Sequence, residues 1–210
     1  MDQKKAGVLL SYGQTILSTI ISLVYTPVML RLLGQSEYGT YTLVNGFISN
    51  LSLMSFGLGS AYVRYYARYE ASEGEDGVAK INGMFLVIFL FIGAASLLVG
   101  GVLVANVHNI FSAKLTPAEV ETARILMALL VVNIAVSFPC SVFTYYITAK
   151  EQFFFQRMIS MIRTVINPIV MLPLLLMGLG SVALVLATLV LSIITDVTVS
   201  YTHLRAHETR

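Results

Sequence analysis

Five long runs without an acidic or basic residue constrain the fold of this chain more than any other feature. They cover residues 6–30, 38–63, 81–113, 125–149 and 164–195. Each run exceeds the roughly 20 residues that an α-helix needs to cross a hydrocarbon core of about 30 Å. Charged residues make up only 11% of the chain and hydrophobic residues 57%, whereas soluble domains carry roughly 25% charged residues. The sequence therefore predicts a membrane protein.

The last run contains a turn that divides it. As one helix, residues 164–195 would be about 48 Å long, which is too long for a single span. Residues 177–181 read Met-Gly-Leu-Gly-Ser, which is typical of a tight turn. The prediction is an all-α, polytopic membrane protein with six transmembrane helices, near residues 7–31, 39–63, 82–106, 124–148, 155–177 and 181–199.

Lys and Arg are distributed unequally between the two sets of loops, and cytoplasmic loops carry the excess. With the N-terminus in the cytoplasm, the inner side holds eight of these residues and the outer side three, so both termini are expected to be cytoplasmic. The inner residues are Lys4, Lys5, Arg64, Arg68, Lys80, Lys150, Arg157 and Arg163, and the outer ones are Arg31, Lys114 and Arg124.

Two connecting segments carry further local signals. Residues 64–80 hold four acidic residues and glycine, which predicts a solvated cytoplasmic loop. Thr116 followed by Pro117 and two acids predicts a helix start, and a short outer helix leading into the fourth span. Four tyrosines are expected to form part of an interfacial aromatic belt, namely Tyr62, Tyr65, Tyr66 and Tyr69.

The last eleven residues differ in composition from the rest of the chain. Residues 200–210 are polar and contain His203, His207, two Arg and one Glu. They resemble translated vector or adapter sequence, so the predicted division is a six-helix lobe over 1–199 and a non-native tail over 200–210. The alternative is an ordinary cytoplasmic tail. The two histidines have a spacing that suits a metal on a helix, but no third ligand lies near them.

Polar residues within the predicted spans recur every three or four positions and so form stripes on single helix faces. The third helix has almost no stripe and is expected to face lipid. The stripes are Ser11, Gln14, Ser18, Ser22 and Tyr25 on the first helix; Thr42, Asn45, Ser49 and Ser52 on the second; Asn133, Ser137, Ser141, Thr144 and Thr148 on the fourth; Gln156, Ser160, Arg163 and Asn167 on the fifth; and Thr188, Ser192, Thr195 or Asp196, and Val199 on the sixth.

Six of the amide and guanidinium side chains are candidate substrate-binding residues, because in lipid such groups should face another helix or water. An alternative for the stripes is helix–helix contact through hydrogen bonds. For the arginine in the fifth helix, the alternative is that the side chain extends to the cytoplasmic interface. The candidates are Arg163, Asn167, Gln156, Arg64, Gln14 and Asn45.

Several function classes have no support in the sequence. A formal net charge of +2 leaves no basic surface for nucleic acid. The single Cys140 excludes an internal disulfide and a multi-cysteine metal site. The motifs H-E-x-x-H and G-x-S-x-G are absent from the sequence, so we expect neither an enzyme, a metal site nor a cofactor.

The segment between the first two predicted helices carries the pattern P-x-x-L-R-x-L-G-x-x-x-Y-G over residues 27–39. With the sequence GLGSAYVRYYARY over 57–69 and Lys-Glu-Gln at 150–152, it resembles the polysaccharide-biosynthesis flippases of the multidrug/oligosaccharidyl-lipid/polysaccharide exporter superfamily. The resemblance covers residues 4–199. It implies a transporter of two lobes around a central cavity, of which this chain supplies the N-terminal lobe and lacks the C-terminal one.

The resemblance further implies a function in the bacterial plasma membrane. The substrate would be an oligosaccharide linked to a polyprenyl pyrophosphate, moved across the bilayer for capsule, exopolysaccharide or O-antigen synthesis, with membrane lipids around the protein. One alternative is a cation-coupled carrier of the multidrug and toxin extrusion type, which would need an intramembrane acid such as Asp196. The other is a non-transporting membrane scaffold of polysaccharide synthesis.

The charge bias yields a topology that can be tested by cysteine labelling. A cysteine at Ser72 is expected to react with a membrane-impermeant maleimide from the cytoplasmic side, and one at Ser112 from the outer side. Labelling in intact cells and in inverted vesicles measures both. Labelling of position 112 from the cytoplasmic side would contradict the predicted order of the spans.

Overall fold

The computed structural model describes the backbone of residues 3–55 and 57–208 and the side chains of residues 9–55 and 57–196. All regular structure in this part of the chain is helical. The helices are α1 Gln3–Ser49, a 3-10 helix Asn50–Ser55, α2 Leu58–Ala105, α3 Val107–Phe111, α4 Pro117–Ala149, α5 Phe153–Leu176 and α6 Gly180–Glu208. The predicted all-α class is therefore confirmed.

Three helical stretches in the described residues are long and apolar enough to cross a membrane: Leu9–Ala105, Pro117–Ala149 and Phe153–Leu176. Gly180–Asp196 is a shorter apolar helix. These stretches make the chain a membrane protein of several apolar helices, while the division into six spans stays a prediction. The side chains of Lys4, Lys5, Val199 and residues 200–210 lie outside the described ones, so the predictions about them stay predictions.

Glycines, and not prolines, interrupt the two longest helices. Gly34 in α1 has φ 78° and ψ 166°, and Gly74 in α2 has φ 62° and ψ −138°. Side chains disfavour both conformations, which glycine adopts readily. The helices continue through Pro27, Pro139, Pro168 and Pro173.

Two predicted boundaries are wrong. The predicted second helix, 39–63, is not continuous, because the 3-10 segment and a left-handed Gly57 separate α1 from α2. The predicted loop 64–80 is helical on both sides of the Gly74 bend. Exposed acidic side chains in this segment indicate contact with water, which a helix tolerates as well as a loop does.

The predicted aromatic belt is also wrong for two of its four tyrosines. Tyr62 and Tyr66 are fully buried and pack with Phe85 and Tyr146 where α2 meets α4. The Tyr62 hydroxyl donates to Asn82 Oδ1, and the Tyr66 hydroxyl donates to Glu70 Oε1 at 3.0 Å. These rings therefore join the two arms of α2 to α4.

The two predicted turn signals are confirmed. After α5, the N–H of Gly178 donates to the Leu175 carbonyl at 2.9 Å and that of Leu179 to the Leu174 carbonyl at 3.2 Å, with Gly178 at φ 72°. This is a Schellman motif. Thr116 caps α4 with Pro117 in the first turn, although α4 is one continuous helix and not a short helix followed by a span.

Small residues bring α2 and α4 into close contact. A Cβ atom at Gly93 would lie 2.8 Å from the Ala135 carbonyl oxygen, and one at Gly100 would lie 2.4 Å from Val131 Cγ1. The part of α2 that was expected to face lipid thus buries one face against α4, while Val87, Phe91 and Leu98 on the other face are exposed.

Two adjacent residues after the Gly34 bend connect α1 to the first turns of α4 and α6. Glu37 Oε1 accepts hydrogen bonds from the N–H and hydroxyl of the fully buried Ser181, at 2.6 and 2.7 Å. The Ser36 hydroxyl donates to Glu119 Oε1. We call these four side chains, Ser36, Glu37, Glu119 and Ser181, the cap cluster.

Glu119 also forms a capping box with Thr116. The Ser36 hydroxyl, followed by the backbone N–H and hydroxyl of Thr116, lowers the pKa of the Glu119 carboxyl from its ordinary 4.5. A carboxyl with a lowered pKa stabilises the fold at pH values above its unfolded pKa. That contribution is lost as acidification protonates the carboxylate.

Two glycines of α2 test the close contact with α4. Gly93→Ala is expected to lower the free energy of unfolding by about 1–3 kcal/mol, because the added methyl meets backbone. Gly101→Ala is the matched control, since no atom lies within 4 Å of its added Cβ, and it should stabilise the helix by about 0.5–1 kcal/mol. Thermal unfolding in detergent, followed by circular dichroism, measures both; similar midpoints would contradict the close contact.

The hydrogen bonds of the cap cluster predict that substitution of Glu37 destabilises the fold. Glu37→Ala should lower the free energy of unfolding by about 1–3 kcal/mol, because the buried Ser181 N–H and hydroxyl lose their acceptor. Glu37→Gln keeps a carbonyl oxygen and should lose less. Glu121→Ala is the control, since this exposed acid makes only a 3.9 Å contact with Arg124. The same thermal measurement applies, and equal midpoints for Glu37→Ala and wild type would refute the capping role.

Candidate functional site

Helix α5 makes a polar contact with each of three neighbouring helices. Arg157 Nη1 donates to Gln14 Oε1 of α1 at 3.3 Å. The Thr148 hydroxyl of α4 shares its single proton between the Thr144 carbonyl at 2.9 Å and Gln156 Oε1 of α5 at 3.3 Å. The predicted stripes on these helices therefore serve at least partly as helix–helix contacts.

Arg163 makes the third contact. It lies on the third turn of α5, and its Nη2 donates to the hydroxyl of the buried Ser192 on α6. Asp196, one turn further along α6, lies close enough to attract the guanidinium electrostatically. The side chain thus turns sideways towards α6. This geometry differs from extension along α5 towards the cytoplasmic interface.

The guanidinium of Arg163 borders a cleft of about 320 Å³ between α5 and α6. Its other walls are almost entirely aliphatic, and the one further polar residue is Thr195. The apolar residues are Ile159, Ile162, Ile166, Leu191 and Ile194. A cleft with one cation and branched aliphatic walls suits a ligand that has an anionic group attached to a hydrocarbon chain.

Two other predicted site residues on α5 are placed differently. Asn167, one turn beyond Arg163, is exposed and has no hydrogen-bond partner among the described residues. Gln156 lies two turns before Arg163 and is held by Thr148. The structure thus brings Gln156, Arg163 and Asn167 onto one helix, with only Arg163 at the cleft.

The remaining predicted residues lie apart from Arg163. Gln14 reaches α5 only through Arg157. The Asn45 amide donates to the Tyr41 carbonyl of its own helix at 3.0 Å. Arg64 is exposed on α2, with its guanidinium carbon 6.0 Å from the centre of the Tyr65 ring, and α2 packs against α4.

The sequence analysis missed Arg157 and the cap cluster as connecting residues. Ser181 follows a glycine turn, so a helix N-terminus in need of an acceptor was predictable at that point. Its partner Glu37 lies 144 residues earlier in the chain, and nothing in the local sequence identifies which acid fills that position.

Acidic, histidine and cysteine side chains do not gather into a metal site in the part of the chain described by the structure. No group of three or more of them lies close enough to hold a metal ion there. His203 and His207 have side chains outside the described residues.

A family model described as "Polysaccharide biosynthesis protein" matches residues 4–208, which is nearly the whole chain. Neither a search of curated proteins nor a search of solved structures finds a match.

Proposed function

The chain belongs to the polysaccharide biosynthesis protein family, and on that premise we propose that it is part of a flippase for lipid-linked oligosaccharides. The substrate is an oligosaccharide carried on a polyprenyl pyrophosphate in the bacterial plasma membrane. The protein moves it across the bilayer for capsule, exopolysaccharide or O-antigen synthesis and catalyses no covalent step.

The observation that carries this proposal is the cleft between α5 and α6. A polyprenyl pyrophosphate joins a branched hydrocarbon chain to a dense anion. The aliphatic walls of the cleft suit the chain, and the guanidinium of Arg163 suits the anion. Guanidinium is always charged and donates to phosphate oxygens in pairs.

The surroundings of Arg163 lower the free-energy cost of placing its charge in the membrane. A charge at mid-membrane costs at least about 2.5 kcal/mol on insertion scales. Here the contact with Ser192 and the attraction of Asp196 offset part of that cost. Because the side chain remains exposed, it is accessible to an incoming anion, which would compete with Asp196 for the guanidinium.

The transport mechanism we propose is alternating access. This chain forms one lobe of six spans with both termini in the cytoplasm, and a second lobe completes the cavity. Arg64, exposed on α2, attracts the anion, while Asn167 extends the polar surface one turn beyond Arg163. Gln156 and Gln14 act by holding α5 against α4 and α1, as their hydrogen bonds support, whereas Asn45 bonds only within its own helix.

A cation-coupled carrier is the second candidate, and Asp196 is the observation that favours it. A carrier of this type needs an acid within the membrane that can bind a cation or proton. Asp196 is half-buried on α6, and Arg163 lies close enough to attract its carboxylate. The exposed guanidinium beside Asp196 would repel a cation and attract an anion, which favours an anionic substrate over a cationic one. A scaffold role without transport predicts that neither residue affects export.

The proposed function predicts the effect of three substitutions, each made in the complete two-lobed protein, on polymer export in cells. Arg163→Ala should reduce export more than tenfold at equal abundance in the membrane, because the anion loses its partner. Arg163→Lys should be impaired, since ammonium lacks the paired donors. Arg124→Ala is the control, because that residue is exposed and its one ion pair within the described part of the chain is with Glu121.

A double variant separates substrate binding from a structural ion pair. Arg163→Ala leaves Asp196 without its compensating charge, so Arg163→Ala/Asp196→Asn should restore stability but not export. Restoration of export by the double variant would assign Arg163 a structural role. Wild-type export by Arg163→Ala alone would reject the proposed site.

A further inference from the structure

The uncharged run 38–63 is interrupted in its second half. The 3-10 helix Asn50–Ser55 ends α1, Gly57 adopts φ 76°, and α2 begins at Leu58 with no side-chain cap. A helix broken within an apolar run leaves backbone groups that lipid cannot satisfy. Such breaks are tolerated where they border protein or a water-filled cavity, so the surroundings of this break are informative.

A pocket of about 510 Å³ lies at this break. The 3-10 segment, the first turns of α2 and the last turns of α4 form its walls. Its polar side chains are all hydroxyls, and no charged side chain lines it in the described part of the chain. They are Ser52, Ser55, Ser60, Tyr145 and Thr148.

Two of these hydroxyls are free to bind a ligand. Ser60 and Tyr145 have no hydrogen-bond partner among the described residues, whereas the Thr148 hydroxyl donates to the Thr144 carbonyl at 2.9 Å. The Tyr145 ring is stacked on Phe89 with 5.7 Å between ring centres. This packing fixes the position of the ring while its hydroxyl remains available.

The pocket is placed next to the candidate site. Thr148 lines the pocket and also bonds to Gln156, which lies seven residues before Arg163 on α5. Seven residues of helix correspond to about 10 Å along the axis. The cleft wall on α5 begins at Ile159, three residues after Gln156, and includes Arg163. The pocket thus adjoins, through Thr148 and Gln156, the same helix that carries the guanidinium and the aliphatic cleft.

We propose that this pocket binds the glycan of the lipid-linked oligosaccharide, an inference that rests on the proposed function. Sugars present many hydroxyls that both donate and accept hydrogen bonds, and serine and tyrosine hydroxyls do the same. Because no charged side chain lines the pocket in the described part of the chain, it offers no partner for a phosphate or an amine, and the preferred sugars are neutral ones.

Binding to two lipids tests this inference. The purified chain in lipid nanodiscs is titrated with undecaprenyl pyrophosphate linked to a trisaccharide of neutral hexoses, and with undecaprenyl pyrophosphate alone. The double variant Ser60→Ala/Tyr145→Phe removes two hydroxyls and keeps the packed ring. It should bind the trisaccharide lipid about 25-fold more weakly, at about fivefold per lost hydrogen bond, and the bare lipid as wild type does.

Ser72→Ala/Tyr65→Phe is the matched control, because both residues lie on α2, are exposed and do not line the pocket. It should bind both lipids as wild type does. Thermal unfolding confirms that each variant is folded.

Three results would overturn the glycan site. In the first, the double variant binds both lipids equally more weakly, which indicates a site for the phosphates of the headgroup. In the second, the double variant binds both lipids as tightly as wild type does. In the third, the wild type binds the two lipids with equal affinity. Failure of the proposed function looks different, because an Arg163→Ala protein would then bind bare undecaprenyl pyrophosphate as tightly as wild type. A selective loss of the trisaccharide lipid in the double variant would still be measurable.

Discussion

The first turns of a helix need acceptors for their backbone N–H groups, and where such a turn is buried, as at Ser181, the protein itself must supply them. In this protein, the carboxylate of Glu37 supplies the acceptor for α6 through Ser181. The adjacent Ser36 binds the capping acid of α4. Because Ser36 and Glu37 lie two and three residues after Gly34, the position of that bend sets where α4 and α6 meet α1. The contact of Arg163 on α5 with Ser192 on α6 depends in turn on where α6 is placed.

Much of the helical content could be predicted from the sequence. The uncharged runs located the apolar helices because lipid excludes charge, and the glycines at 178 and 180 located the turn before α6. The break at residues 50–57 was missed although Gly57-Leu58-Gly59-Ser60 repeats the turn sequence found before α6. The run 38–63 is short enough for a single span, so its length gave no reason to divide it. The segment 64–80 was mistaken for a loop, because its acidic residues indicate contact with water but do not distinguish a helix from a loop. The packing of Tyr62 and Tyr66 on α4 keeps this segment helical.

The candidate site was predictable only in part. Periodicity placed Arg163 and Ser192 on the polar faces of the fifth and sixth helices, and the structure joins them directly. Periodicity did not distinguish residues that hold helices together from residues that face a cleft, because both kinds recur with the same spacing. The hydroxyl pocket escaped prediction, since it depends on Ser60 and Tyr145 being brought together by the broken helix.

The distance in sequence between the members of the cap cluster has a consequence for biogenesis. Glu37 leaves the ribosome 144 residues before Ser181, and chains are synthesised N-terminus first. The Glu37 carboxylate therefore lacks the hydrogen-bond donors of Ser181 while α2 to α5 are synthesised and inserted. The nascent lobe cannot adopt its final packing until α6 has been synthesised. Until then, the incompletely packed helices are exposed to membrane chaperones and proteases. A stop codon before residue 181 would leave every preceding helix in that unfinished state.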